Sequence, residues 1–255
     1  MPAQRGGTLA RTRDGGRTIR RAEDRVSRYQ DQKGAFGLEV REALRASDPI
    51  MRRLIDAHSN FDPETWRRYG PTTDPFGTLL RVVVGQQVSA SAARAILGRL
   101  SALFSDRLPT PSELLAAEEG ELLSVGLSRQ KLSYLRNLAE RVESGALDLD
   151  RLADLPDDEV RERLMAVKGI GRWSADMFLL RELGRPDVLP SGDVGIRKAV
   201  QKAYGLPAPP TPAEVDLLGE KWQPHRSLAA AYLFASLADA TEPKPAEQTP
   251  DSPIF

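Results

Sequence analysis

From about residue 36 to 240 the apolar positions recur every three or four residues, the spacing of helices that bury one face. Leu79, Leu80, Val83 and Val84 form one such stripe behind Asp74, a residue type suited to a helix N-cap. Ser89 predicts the start of a second helix with an inner face of Ala93, Ile96, Leu97, Leu100 and Leu103. Ser128 precedes Leu132, Leu135, Leu138, Ala139 and Val142, and Asp157 opens a shorter helix with Val160, Leu164 and Met165 inside. Further helices are predicted over 172–183, 194–204, 212–222 and 226–239. Alternating β-branched runs are missing, and Gly and Pro fall between helical segments. The pattern predicts an all-α body of about ten helices, without an internal repeat.

Both ends break the pattern. Residues 1–35 carry Gly and Arg but few large apolar groups, so they read as a disordered basic arm. The stretch 241–255, with Pro243, Pro245, Pro250 and Pro253, reads as a flexible tail. Net charge is zero over 255 residues, yet residues 1–33 hold nine basic groups against four acidic. A basic arm of this kind suits a polyanion partner, and a solvated leader accounts for it as well. The absence of cysteine excludes disulfides, thiolate metal sites and a cysteine nucleophile. His58 and His225 are the only histidines, too few for a multi-histidine metal centre. No apolar run approaches a membrane span, and the N-terminal arginines lack the apolar core of a secretory signal. These features predict a cytoplasmic protein with no membrane partner.

Chemistry concentrates in two short stretches. In Val167-Lys168-Gly169-Ile170-Gly171-Arg172-Trp173, two glycines flank one apolar residue between a helix ending at Val167 and another starting near Arg172. Glycine allows a sharp turn and a close approach to another surface. The unpaired amides at the second helix start can then bind phosphate without reading sequence. An ordinary helix connection with Gly at the helix end explains the glycines too. Further on comes Leu189-Pro190-Ser191-Gly192-Asp193-Val194, a loop that sets Asp193 at the start of the next helix. An aspartate in that place is most often an N-cap, and helix amides also favour the ionised carboxylate that electrostatic or general-base catalysis requires.

Hairpin, spacing and aspartate together resemble the helix-hairpin-helix glycosylase superfamily, within it the DNA-3-methyladenine glycosylase II type. Val84-Gly85-Gln86-Gln87-Val88-Ser89, Ser128-Arg129-Gln130-Lys131 and Trp222-Gln223-Pro224-His225-Arg226-Ser227 are further matching pieces, and the likeness covers about 36–240. It implies a two-lobed all-α fold with the active-site cleft between the lobes and the hairpin at about 159–183; the N-terminal β-domain of some members is expected to be missing, since fewer than forty disordered-looking residues precede the first helix. The implied activity is base flipping and hydrolysis of the N-glycosidic bond of alkylated bases in duplex DNA. The implied protein is a monomer that needs no cofactor and sits on the bacterial nucleoid through DNA.

By motif match Asp193 is the catalytic carboxylate, stabilising charge on the sugar or activating water. Relatives that also nick the backbone carry a lysine where this chain has Trp173, which implies a monofunctional enzyme. Trp173, Met177 and Phe234 fall on base-pocket positions, Met177 and Phe234 replacing a more familiar tyrosine and tryptophan. Trp173 can stack on a cationic base or pack between the lobes. Gln87 falls on the wedge that fills the hole left by the flipped base, and Lys168, Gly169, Ile170, Gly171 and Arg172 on the DNA-binding hairpin. The resemblance also implies a monovalent cation, Na or K, on the backbone carbonyls of Met165, Val167 and Ile170. Arg197 and Lys198 can reach phosphate or lie on a solvated face. A non-catalytic DNA-binding module, or a glycosylase of this fold for another lesion class, are the competing readings.

Overall fold

The computed structural model describes residues 36–63, 66 and 74–238. The arm over 1–35 and the tail over 241–255 lie outside the described residues. The main helices are α1 (Leu38–Ser47), α2 (Pro49–Ala57), α3 (Pro75–Gly85), α4 (Ala90–Leu103), α5 (Pro111–Ala116), α6 (Glu119–Ser124), α7 (Arg129–Glu143), α8 (Asp157–Met165), α9 (Arg172–Arg181), α10 (Val194–Tyr204), α11 (Pro212–Gly219) and α12 (Arg226–Ala238). Short 3-10 turns occupy Asp150–Asp154 and Glu220–Trp222, and no strand occurs among the described residues.

The caps read from sequence start their helices. Asp74 accepts the Gly77 amide at 3.0 Å, Ser89 the Ala92 amide at 3.2 Å and Ser128 the Lys131 amide at 3.2 Å. Asp157 is a helical residue instead, and Pro156 holds the cap position without a side-chain bond.

Burial departs from the one-faced pattern in two places. The helix α3 is not a stripe: Pro75 to Leu80 and Val82 to Val84 are all buried, because it is packed against α4, α7 and α9. An all-round apolar helix belongs in the interior. Its Thr78 hydroxyl is accommodated there by donating to Glu182 Oε2 at 2.6 Å. The helix α4 is the opposite case, with only Ile96 and Leu100 buried and Leu103 45% exposed. On α7 the expected Leu132, Leu135, Leu138 and Ala139 are buried. Each such leucine contributes roughly 1.5–3 kcal/mol.

The buried side chains form two clusters. The first runs from Phe76 to Val188 and uses α3 to α9. The second joins Phe36, Leu44, Met51 and Ile55 to Leu189, Ile196 and the helices α10 to α12. The described chain thus starts in the second cluster, builds the first, and returns at Val188–Leu189. Asp193 lies four residues after that crossing.

Candidate functional site

The hairpin begins where α8 ends at Met165 and the Val167 amide turns back on Leu164 O. Ile170 donates its amide to Val167 O at 3.1 Å and buries its side chain to 5% exposure, tying the turn to the first core. The two glycines are not equivalent. Gly169 has φ +86°, and a Cβ there would come within 2.2 Å of the Tyr134 ring. Gly171 has an ordinary φ of −98°, and nothing lies within 4 Å of the Cβ it lacks. The fold itself therefore requires glycine only at Gly169. At Gly171 its smallness leaves room for something outside the chain.

The helix α9 starts at Arg172 with no side-chain cap on Gly171. Lys168, Gly171 and Arg172 are exposed around this start. A groove of about 790 Å³ runs beside them, walled by Gln86, Gln87, Lys131, Tyr134 and the hairpin loop. Met165 forms part of this wall and is 47% exposed, so it is not the core residue the spacing suggested. It ends α8 at the loop, where the buried face has already run out.

A buried charge locks the hairpin, and the periodicity did not single it out. Asp176 is 3% exposed and accepts from Arg161 Nε at 2.7 Å and Arg172 Nε at 3.1 Å. Burial raises its carboxyl above the ordinary range, against the pull of the two guanidinium groups. The available signal was an acidic residue in the middle of an apolar helix, four positions after an arginine.

Asp193 is the N-cap of α10, its Oδ1 accepting the Ile196 amide at 3.1 Å. Its other oxygen, Oδ2, accepts the Trp173 indole N–H at 2.5 Å. Trp173 belongs to the first turn of α9 and packs partly on the first core, whereas α10 belongs to the second. A single hydrogen bond therefore joins the hairpin to the candidate carboxylate. Asp193 thus caps its helix, as its place in the sequence suggests, and is also held by a group from another helix. The Trp173 indole N–H is engaged by Asp193, so the ring also orients that carboxylate besides any stacking it does.

The remaining pocket candidates are placed differently from one another. Phe234 is half-buried against α10, where a Cβ on Gly195 would meet its ring at 3.2 Å and Asp193 Oδ1 at 2.9 Å. Met177 is 4% exposed inside the first core, one turn beyond Trp173, and is foremost a packing residue. Sequence reasoning missed Trp66, whose ring lies 5.4 Å from that of Phe234 and carries the Arg181 guanidinium 3.9 Å above it. No periodic segment surrounds Trp66, so only its residue type could have drawn notice.

Gln87 is exposed on the groove with φ +55°. Arg197 donates to Pro210 O at 2.6 Å and so serves the fold, while Lys198 is exposed. His58 caps its own helix through Nδ1 and Leu54 O, and His225 is half-buried at the start of α12. No helix of the described residues is long and apolar enough to cross a membrane.

Residues 80–225 match the model of the HhH-GPD superfamily base excision DNA repair proteins. The chain is 34% identical over 204 residues to DNA-3-methyladenine glycosylase 1 of Schizosaccharomyces pombe, covering 78% of this chain and 88% of that protein. It is 30% identical over 170 residues to DNA-3-methyladenine glycosylase 2 of Escherichia coli, covering 63% of this chain and 57% of that one. Among solved structures, the S. pombe 3-methyladenine DNA glycosylase in complex with abasic DNA superposes with a TM-score of 0.71 at 31% identity, over 80% of this chain and all of that one. A 3-methyladenine DNA-glycosylase from Archaeoglobus fulgidus, at 22% identity and a TM-score of 0.70, shares the fold. With more than half its length inside the family match and the glycine hairpin and its aspartate both within it, this chain belongs to the HhH-GPD superfamily of base excision DNA repair proteins.

Proposed function

We propose that this protein is a monofunctional DNA glycosylase that excises alkylated bases, of the 3-methyladenine and 7-methylguanine type, from duplex DNA. The observation that carries the reading is the Asp193 carboxylate, half-buried and held by both the α10 amide and the Trp173 indole. An alkylated purine is already cationic and departs readily. As the N-glycosidic bond breaks, its electron pair leaves with the base and positive charge grows on the sugar. A fixed carboxylate stabilises that charge without reorganising at the moment of reaction. Water then adds to the sugar carbon and loses its proton, which Asp193 can accept, leaving an abasic site.

Trp173 occupies the position where a lysine would form an imine with the sugar, so the phosphodiester backbone is left intact. Trp173 and Phe234 flank the flipped base, with Met177 closing the core behind them. The groove-side loop Lys168 to Arg172 seats the hairpin on phosphate, through the uncapped start of α9 and the space left at Gly171. Ile170 anchors this loop from inside. Gln87 fills the gap in the base stack. The carbonyls of Met165, Val167 and Ile170 suit a hard monovalent cation, and Val167 O, already accepting from Ile170, keeps a second lone pair for it. Such an ion would add positive charge beside the phosphates. We further assign the protein to the bacterial cytoplasm as a monomer acting on nucleoid DNA.

The test is release of free bases from methylated duplex DNA. Chromatography should detect 3-methyladenine and 7-methylguanine, with the abasic strand uncut and no product trapped by borohydride. DNA that retains all its methylated bases overturns the reading.

A further inference from the structure

Between α3 and α4 the chain has only Gln86, Gln87, Val88 and Ser89. Gln87 within this link has φ +55°, a left-handed backbone that a residue with a side chain adopts where its surroundings impose it. Three hydrogen bonds hold the residues just before it, Val84 and Gln86. On one side Lys131 Nζ donates to Val84 O at 2.6 Å, closing the end of α3. On the other, Gln86 Nε2 donates to Gly169 O at 2.9 Å and to Ser174 Oγ at 3.0 Å. A backbone carbonyl can only accept, so the contact with Gly169 O settles which end of the Gln86 amide is nitrogen. Both of its amide hydrogens therefore reach the hairpin, one to the loop and one to α9. Ser174 is 2% exposed, so this anchor is fixed by the core.

We propose that Gln86 is a positioning residue whose side-chain amide couples the α3–α4 link to the hairpin, so that Gln87 is held ready to enter the base stack when the hairpin sits on the phosphates. The inference rests on the glycosylase reading above and adds a device to it. Without the Gln86 amide, the link must be ordered at the moment of insertion, and that entropy opposes the step. The loss falls on base flipping and spares bond cleavage. It is greatest for a lesion in a stable pair and smallest in a mismatch, where unstacking and unpairing cost less.

The experiment compares single-turnover release of 7-methylguanine paired with cytosine and of 7-methylguanine opposite thymine. Gln86→Leu keeps the size of the side chain and removes its donors. It should slow release from the paired substrate by roughly tenfold to a hundredfold, the scale of a small misplacement, and the mismatched substrate much less. Gln87→Ala should reproduce the pattern, and the double variant should be no slower than Gln87→Ala alone. Ser174→Ala removes one acceptor only and should give a smaller loss with the same preference, which keeps the test available if Gln86→Leu folds poorly. Equal losses on both substrates, or wild-type rates on both, overturn the proposal. A wild-type chain that releases nothing from either duplex overturns the glycosylase reading along with it.

Discussion

Asp48 caps α2 through the Ile50 amide at 2.8 Å, Asp193 caps α10 through the Ile196 amide at 3.1 Å, and each carboxylate also takes a tryptophan indole N–H. Up to that point their surroundings match. Asp48 Oδ2, however, accepts Trp222 Nε1 at 3.0 Å, Lys221 Nζ at 3.0 Å and the Tyr204 hydroxyl together, and the side chain is 1% exposed. A carboxylate offers about four lone-pair sites, and Asp48 takes four donors from within the protein, one on Oδ1 and three crowded on Oδ2. Asp193 accepts two donors and is half-buried, so it retains acceptor capacity for a partner from outside. The first carboxylate fastens α2 to α10 and the Glu220–Trp222 turn. The second is fixed in place but chemically available. What separates a structural aspartate from a candidate catalytic one here is how many donors the tertiary fold supplies.

The largest expected effect is at Asp48. Asp48→Ala leaves the buried Trp222 and Tyr204 donors without an acceptor, at about 1–3 kcal/mol each, and uncaps α2, while the half-exposed Lys221 turns to water. Denaturant unfolding should show that loss. An equally stable variant would remove the contrast between the two carboxylates.

Asp193→Asn should act on rate instead. Asn caps a helix about as well as Asp, so folding and duplex binding should persist, while excision falls by roughly 10²–10³. Near wild-type release of 3-methyladenine by a folded Asp193→Asn protein would reduce Asp193 to a cap and make it equivalent to Asp48.

The two hairpin glycines sharpen the same distinction between a residue the fold uses and one left for a partner. Gly169→Ala meets the Tyr134 ring and a positive φ, and should destabilise the protein by about 1–3 kcal/mol. Gly171→Val finds open space and should cost less than about 1 kcal/mol, yet weaken affinity for undamaged duplex. Thermal melts beside binding titrations decide this. Equal behaviour of the two variants would contradict it.

The smallest effect is in the acid limb of stability. Burial by itself would raise the Asp48 carboxyl, but the bonds from Tyr204, Trp222, the Ile50 amide and Lys221 outweigh it and hold it below its ordinary value of 3.8. A depressed folded value means the stabilisation is complete above 3.8 and is lost as pH falls through the folded value. Stability curves below about pH 4 should therefore be steeper for the wild type than for Asp48→Asn. Superimposable acid limbs would show that Asp48 gains nothing from its donors.

Local pattern alone determined much of this protein. The helices around α7, α9, α10 and α12 and the caps at Asp74, Ser89 and Ser128 follow from spacing and residue type, because helix period and capping are properties of a few neighbouring residues. The hairpin and the Asp193 loop were legible for the same reason, as Gly and Pro restrict the backbone locally. Other features belong to tertiary structure only. That α3 is buried all round, that Met165 lies on a groove, and that Met177 packs in the core depend on which helices arrive beside them. Nothing in the sequence around Asp48 and Asp193 separates their fates. Trp222 and Trp173, Tyr204 and Lys221 come from distant positions, and a carboxylate becomes saturated or available according to the donors that folding brings within about 3 Å.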